Sequence, residues 1–582
     1  MTSFRIIQPY LAASRHTILF GLFSLIVVDF LQLLIPRVIK QVVDDLTLFQ
    51  ADHHLLFKSA VTILLLGLVI AIFRFFWRRC LLGSARKTEE SLRNQLFTHL
   101  QTLSPAYFDH TRTGDLMAHA TNDILQIRMA AGMGLVALND AVFLGSAAIG
   151  FMMYIHLELT LYVLIPMPLI VLGSHYFGGH MHRQYKKVQA TFGKLTETVR
   201  ERFAGIRVIF SFNAQCAESK TLEKVSATYM KENIDLVKIT GVFFPLMIFL
   251  TPLSLAIVLF QGGRQTIFAR ITTGDFVAFI SYLGVLTWPM MALGWVTNLI
   301  QRGRASLDRL NVILSTTSEL VERDDARPIS AFQHAICVED VDFSYDVSRP
   351  NVLTQIRLDV QKGKTLGIVG PSGSGKTTLV QLFMRLYDVR SGAIRIDGTD
   401  LRDLKQRDLR ALMALAPQEP FLFDGTISEN ITLGRSDITA DAISQVVRMA
   451  ELDTTLSWFP DGLDTLVGER GVILSGGQKQ RIGLARAFLE DAPILILDDP
   501  VSQVDTWTAA RIIDRLKAMA GSKTLIIVSH RLAAVRHADT LIRMENGRIQ
   551  CSGTHSWMMQ NDSWYARAYR LQELEQELED AV

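Results

Sequence analysis

The sequence predicts an all-α transmembrane domain of six helices, followed by an α/β domain built on parallel strands. Three observations carry that expectation. Six stretches in the first half are apolar over the ~20 residues needed to cross roughly 30 Å of hydrocarbon. The second half changes to short β-rich runs alternating with helical stretches, the pattern of strands joined by crossover helices. Between one such strand and one such helix stands a glycine-rich turn, Gly370-Pro371-Ser372-Gly373-Ser374-Gly375-Lys376-Thr377.

Composition agrees. The chain has 582 residues, of which 49% are hydrophobic and 20% charged, and its mean hydropathy is +0.24. That is long for one domain and too apolar for an ordinary soluble protein. The net charge of +2 gives no electrostatic case for nucleic acid. Cys80, Cys216, Cys337 and Cys551 are scattered without metal-ligand spacing and read as reduced thiols. No small-residue cleavage site follows the first apolar stretch, which therefore reads as a retained membrane helix.

The predicted spans are Thr17 to Pro36, Leu55 to Trp77, Ala130 to Tyr154, Leu159 to Tyr176, Thr240 to Phe260 and Phe276 to Ile300. Breaks are expected at His156-Leu157-Glu158 and at Gln261-Gly262-Gly263-Arg264. Basic residues crowd the segments after spans two and four, among them Arg78, Arg79, Arg86, Lys87, Arg183, Lys186 and Lys187. The loop between spans one and two is acidic (Asp44, Asp45, Asp52). The positive-inside rule puts both basic segments, and both ends of the region, in the cytoplasm. These segments read as helices continuing beyond the bilayer, turning near Gly114-Asp115 and Ser211-Phe212-Asn213. Asp29, Arg74, Asn139 and Asp140 fall at membrane depth. Two readings stand: a polar or cationic substrate path through Asp29, Asn139 and Asp140, or helix–helix pairing such as Asp29 with Arg74.

The domain limits follow: 1–321 for the transmembrane domain, 322–335 for a polar linker, 336–570 for the α/β domain, and 571–582 for an acidic tail that reads as solvated. In the α/β domain, Val341 to Tyr345 alternates as a strand and returns at Val352 to Val360. Thr365 to Val369 is the buried strand before the glycine turn. Strand, glycine loop, Lys-Thr and helix together form a phosphate-binding loop, in which backbone N–H groups converge on anionic oxygens. Lys376 reaches the β- and γ-phosphates of a nucleoside triphosphate, and Thr377 ligates Mg²⁺. Ile494 to Leu497 is an apolar strand ending in Asp498, which suits a Mg²⁺-holding carboxylate. Ser475-Gly476-Gly477-Gln478 opens a helix with free N–H groups.

Leu474 to Gln480 resembles the signature motif of the ABC transporters, which makes the second half an ABC-type P-loop NTPase domain. The resemblance covers nearly the whole chain and matches exporter-type (type IV) half-transporters. Stretches such as Arg112 to Asp123 and Tyr569 to Asp580 are most similar to multidrug-resistance-like proteins of the MdlA type. It implies roles for several residues. Tyr345 stacks on adenine, and Thr378 belongs to the ATP-binding set. Gln418 touches Mg²⁺, Asp505 is the D-loop aspartate, and His530 is the switch histidine. Val467 to Gly471 resembles the exporter X-loop. Segments near Gly114 and Gly205 lie beside two coupling helices. It further implies that two chains pack head to tail, so that Ser475 to Gln478 of one completes the ATP site of the other. A bacterial inner membrane is the expected location, with the N-terminus and ATPase domain cytoplasmic.

One departure bears on mechanism. The residue after the Mg²⁺ aspartate is usually Glu, the general base; here it is Asp499. A side chain one methylene shorter stands further from the attacking water. A homodimer that hydrolyses slowly is one reading. The favoured one is a heterodimer in which Asp499 marks a slow site. Export of drugs, lipids or other amphipathic compounds is the expected function; uptake of metal-chelating siderophores and homodimeric lipid or peptide export are the alternatives. An ABC ATPase not engaged in transport would lack the spans.

Overall fold

The protein is described by a computed structural model covering residues 3–49, 51–346, 348–468, 471 and 473–580. Two compact units result. One runs to Gln101 and from Arg112 to Thr316; the other comprises Thr102–Thr111 and the chain from Thr317 on.

The first unit is helical throughout. Among the described residues, four helices are long and apolar enough to cross a membrane: Arg15–Thr47, His53–Leu100, Thr113–Ile155 and Thr273–Ser315. The predicted fourth and fifth spans fall on helices Leu157–Leu164 with Pro166–Ala204, and Gln215–Ile257; several side chains there lie outside the description. Leu64, Leu68 and Phe75 of the second long helix are mostly exposed, an apolar face that hydrocarbon, not water, would satisfy. The core holds Leu33, Met152, Leu159, Phe279 and Tyr282, and the Tyr282 hydroxyl donates to the Leu33 carbonyl at 2.9 Å.

The helix breaks correct two expectations. His156 does break the chain, with extended backbone, and caps Leu157–Leu164 by accepting the Leu159 N–H. Gly262-Gly263 does not break it: helix continues to Ile267, and the turn lies at Phe268–Thr272, where Ala269 has φ +53°. A glycine pair costs only about 2 kcal/mol inside a helix, and the stronger signal is the capping box of Thr272 and Asp275. Asp275 also pairs with Lys40 at 2.5 Å. The first long hairpin turns before Gly114-Asp115, around the short helix Pro105–His110; Asp115 lies in the first turn of the next helix, Thr113–Ala118. The second turns where expected, with Asn213 at φ +52°.

The second unit has two sheets. One is antiparallel: β1 (Ala335–Phe343), β2 (Leu353–Gln361), β4 (Ser391–Ile396) and β5 (Thr399–Asp400), in the order β2-β1-β4-β5. The other contains β3 (Thr365–Val369), β6 (Met413–Ala416), β7 (Ile494–Asp498), β8 (Thr524–Val528), β9 (Thr540–Glu545) and β10 (Arg548–Gly553), in the order β10-β9-β3-β8-β7-β6. Strands β3, β7 and β8 are adjacent, parallel and buried at every residue, as continuous apolar runs require. Sequence reading found β3, β7, β8 and the β1–β2 return but not β6, β9 and β10, nor the antiparallel pairing of β4 and β5.

The polar linker is laid onto this unit. The Arg327 N–H donates to Asp403 O at 2.8 Å, Arg323 pairs with Asp403, and buried Arg385 donates to Val321 O. Helix Pro105–His110 belongs to the same unit, where Tyr387 donates its hydroxyl to Asp109 at 2.8 Å. The acidic C-terminal run is the end of a helix, Ser563–Asp580, that passes position 571 without a break.

Candidate functional site

The carboxyl ends of β3, β7 and β8 lie side by side, which is where ligands bind open α/β sheets. From β3 the chain enters the glycine turn. Gly370 (φ +145°) and Gly375 (φ +96°) adopt backbone that favours glycine. A Cβ on Gly370 would lie 2.1 Å from Met544 O, so the loop presses on β9. Helix Lys376–Phe383 follows, and its first turn has no side-chain cap. Lys376 is buried, and among the described residues its ammonium bonds only to neutral oxygens: Gly370 O at 3.0 Å, Pro371 O at 2.8 Å and, at 3.5 Å, Ser374 Oγ. Burial pulls the Lys376 ammonium below its ordinary pKa, while nearby Asp498 and Asp499 oppose that pull. Pro371, Ser372 and Gly373 are exposed at the rim.

From β7 come Asp498 and Asp499. Burial raises the Asp498 carboxyl, Asp499 adds to the rise, and a hydrogen bond from the Thr377 hydroxyl opposes it. Asp499 is buried with φ +53°. Its Oδ1 accepts from Ser529 Oγ and from the His530 N–H, each at 3.3 Å. From β8 come Ser529, buried, and His530, exposed. The fold thus brings Lys376, Thr377, Asp498, Asp499 and His530 into one group. Gln418, two residues past β6, is exposed.

Tyr345 folds onto the helix after the glycine turn. Its hydroxyl meets Thr378 Oγ1 at 3.0 Å and Gln381 Oε1 at 2.7 Å, and its ring stands edge-on to Phe343 and Tyr387.

Helix Gly476–Leu489 carries the signature residues. Ser475 caps it, and Gln478 returns the bond: the Ser475 N–H reaches Gln478 Oε1 at 2.8 Å, and the Gln478 N–H reaches Ser475 Oγ at 3.3 Å. A Cβ on Gly476 would lie 2.0 Å from Gln503 Oε1, and one on Gly477 2.6 Å from Gln503 O. Asp505 caps helix Thr506–Met519 by accepting the Thr508 N–H at 2.9 Å. Burial alone would raise the Asp505 carboxyl, but the Thr508 bonds and Arg481 hold it low. Glu469 and Arg470 of the X-loop lie outside the described residues.

Sequence reading placed Gln480 at the end of the signature stretch but gave it no role. Buried on the signature helix, it donates to Asp499 O at 2.6 Å and to Ser502 Oγ at 3.1 Å, and accepts the Gln503 N–H at 3.0 Å. It ties the signature helix to the loop carrying Asp499. Nothing in its local sequence marks that partner, which is 19 residues away.

In the first unit, four helices converge on a cavity of about 520 Å³ lined by Asp29, Gln32, Arg74, Asp140 and Trp288 among others. Asp29 is buried and accepts from Asn139 at 2.8 Å; Asn139, rather than Arg74, is its hydrogen-bond partner. Trp288 Nε1 donates to Asp140 at 3.1 Å.

Comparisons agree with both units. Residues 18–290 match the ABC transporter transmembrane region, and residues 353–502 match the ABC transporter family model. The chain is 35% identical over 564 residues to the probable multidrug resistance ABC transporter ATP-binding/permease protein YheI of Bacillus subtilis, covering 96% of this chain and 95% of that protein. It is 35% identical to the multidrug resistance-like ATP-binding protein MdlA of Escherichia coli, covering 96% and 94%. It is 33% identical to an ATP-dependent lipid A-core flippase of Nitrosococcus oceani, covering 84% and 82%. A bacterial Atm1-family ABC exporter with ATP bound superposes with a TM-score of 0.77 at 25% identity, covering 96% of this chain and 99% of that one. A helical membrane unit joined to a phosphate-loop unit, with relatives matched end to end, makes this chain a member of the ABC transporter family: an ATP-driven transmembrane transporter of the exporter fold.

Proposed function

We propose that the chain is one half of an exporter for drugs, lipids or other amphipathic compounds, working in a heterodimer whose slow ATP site is its own. The observation that carries the ATP site is the buried Lys376 ammonium, held by neutral oxygens beside an uncapped helix N-terminus. Such a place favours an anion with several oxygens. Gly370 to Thr378 bind the phosphates of ATP, and Tyr345 takes the adenine. Ser475, Gly476, Gly477 and Gln478 serve the partner's nucleotide, and Asp505 lies at the interface between the two.

Thr377 and Asp498 present a hydroxyl and a carboxylate in mutual contact. Hard oxygen donors of that kind fit Mg²⁺, with Gln418 as a third. Mg²⁺ held there would neutralise charge on the terminal phosphates. Asp499 is the general base and His530 its partner. Drawn in by Ser529 and the His530 N–H, the short Asp499 carboxylate stands back from the water it must activate. The names of YheI and the lipid A-core flippase support an amphipathic substrate, and the cavity at Asp29 and Asp140, with Asn139 behind Asp29, lies on its path. The protein sits in the bacterial inner membrane with the N-terminus and nucleotide-binding unit in the cytoplasm.

Steady-state ATPase activity of the purified chain alone, and co-expressed with a neighbouring half-transporter, tests the pairing. Low activity alone and a large rise on pairing supports the heterodimer; full activity alone overturns it. Uptake of a fluorescent amphiphile into inverted vesicles on ATP addition tests direction.

A further inference from the structure

The His530 loop is held by a residue that belongs to none of the motifs above. Gln572 lies on helix Ser563–Asp580, 42 residues along the chain. Its side-chain amide donates from Nε2 to the His530 carbonyl at 2.8 Å and accepts the Leu532 N–H at Oε1, also at 2.8 Å. A primary amide that bonds a C=O and an N–H two residues apart copies one rung of a β-ladder. It therefore fixes the path of the loop rather than a single atom. From the other side, the His530 N–H reaches Asp499 Oδ1 at 3.3 Å. The backbone of His530 is bracketed between the Asp499 carboxylate and the Gln572 amide.

The clamp has a firm base. Tyr565 is fully buried, its ring stacks on Tyr569, and its hydroxyl meets His555 Nδ1 at 2.8 Å. Tyr565, Tyr569 and Gln572 stand at i, i+4 and i+7, on one face of the helix. Asp562 accepts the N–H groups of Trp564 and Tyr565 at the start of that helix and pairs with Arg543 at 2.5 Å. The helix is anchored up to the residue that touches the loop.

We infer that Gln572 is a positioning residue for ATP hydrolysis: by clamping the backbone of His530 and Leu532, it sets where the His530 imidazole and the Asp499 carboxylate stand. The inference rests on the reading of those two residues as hydrolytic groups. It separates two properties. Nucleotide affinity resides in the glycine turn and Lys376, which Gln572 does not touch. The rate of the chemical step depends on geometry at Asp499 and His530, where a misplacement of about 1 Å costs on the order of 100-fold. The His530 residue is exposed, so water can take over its carbonyl when the clamp is lost, and the fold survives.

The test uses the full chain in lipid nanodiscs, with its partner subunit if pairing is needed for turnover. Gln572→Met keeps the length of the side chain and removes both bonds. Its kcat should fall about three- to tenfold, while KM for ATP and the affinity for a fluorescent ATP analogue stay within about twofold. Gln572→Glu keeps the acceptor for Leu532 but sets a carboxylate against the His530 carbonyl. Its kcat relative to wild type should be low at pH 7, where the added carboxyl is ionised, and should recover as pH falls toward the ordinary glutamate value of about 4.3, where the carboxyl takes up a proton and can donate. An unchanged kcat in Gln572→Met overturns the inference, as does a kcat loss matched by a rise in KM and a lower melting temperature. His530→Ala in the same assay separates the two claims. If it leaves kcat intact, the reading of His530 fails and the clamp with it. If it lowers kcat while Gln572→Met does not, only the clamp fails.

Discussion

Two helix N-termini in the nucleotide-binding unit are assigned to phosphate, and they are built in opposite ways. The terminus at Lys376 is open: its N-cap is Gly375 in left-handed backbone, and no side chain bonds the first-turn N–H groups. The terminus at Gly476 is closed by its own capping box, Ser475 with Gln478. The first four N–H groups of any helix need partners from outside it. An open terminus is a receptor already formed within one chain. The box at the capped terminus engages the N–H groups of Ser475 and Gln478 alone, so an incoming phosphate there is offered those of Gly476 and Gly477. On the proposed reading, the open terminus is the half of a composite ATP site that this chain builds alone, and the capped one is the half completed only against another chain.

The comparison is broken most sharply at Lys376. Lys376→Ala should lower ATP hydrolysis at this chain's own site by at least about 100-fold, read by phosphate release, and should weaken binding of a fluorescent ATP analogue. An Ala variant with near-normal turnover would remove the phosphate-receptor reading of the open terminus. Next in size is the base beside it. Asp499→Glu should raise hydrolysis by about tenfold if reach limits the rate; single-turnover kinetics with no gain would mean that the short side chain is not the obstacle. At the closed terminus, Ser475→Ala removes one arm of the capping box. It should cost about 1 kcal/mol of stability, seen as a lower melting temperature, and it should reduce turnover at the partner's site while leaving this chain's own nucleotide affinity unchanged. A loss of affinity in cis would erase the contrast between the termini.

A third terminus sharpens the contrast with the smallest effect. Helix Ser563–Asp580 is preceded by a charged acceptor, Asp562, which takes the N–H groups of Trp564 and Tyr565. Burial pushes the Asp562 carboxyl up, but bonds from Cys551, Tyr565 and Arg543 outweigh it and hold the group below the usual carboxylate range. A depressed carboxyl contributes stability above its unfolded pKa of about 3.9, and that contribution fades as pH falls through this value toward the folded one. Between about pH 5 and pH 3, wild type should therefore lose more of its melting temperature than Asp562→Asn does; equal losses would show that this terminus does not depend on the charge.

The glycine turn, the Asp498 strand and the signature helix were legible because each is set by its neighbours in sequence: an apolar strand, a turn that needs positive φ, or a cap three residues from its partner. What was not legible depends on distant partners. Gln480 bonds to Asp499, Gln572 to His530 and Asn139 to Asp29, and in each case the residue type alone allows many partners. Where local signals competed, the weaker one misled. Gly262-Gly263 read as a break, yet helix runs through it, while Thr272 and Asp275, with the box spacing, mark the true start of the last long helix. The two readings of the membrane-depth charges part in the same way: the Asp29–Asn139 bond spans 110 residues, and spacing could not choose it.

Strand order also sets the timing of biosynthesis. In the finished sheet, β3 lies between β8 and β9, pairing Thr365 with Leu525 and Leu366 with Thr540. On the ribosome, this strand emerges long before either flanking strand exists. A delay of on the order of 10 to 30 seconds separates them at ordinary elongation rates. Through that interval the phosphate loop has no sheet to rest on, and an apolar strand waits unpaired. The nascent chain therefore gains its hold on ATP late, after the long membrane helices have been synthesised. An incomplete polypeptide that stops short of Glu545 would reach the bilayer without a working motor.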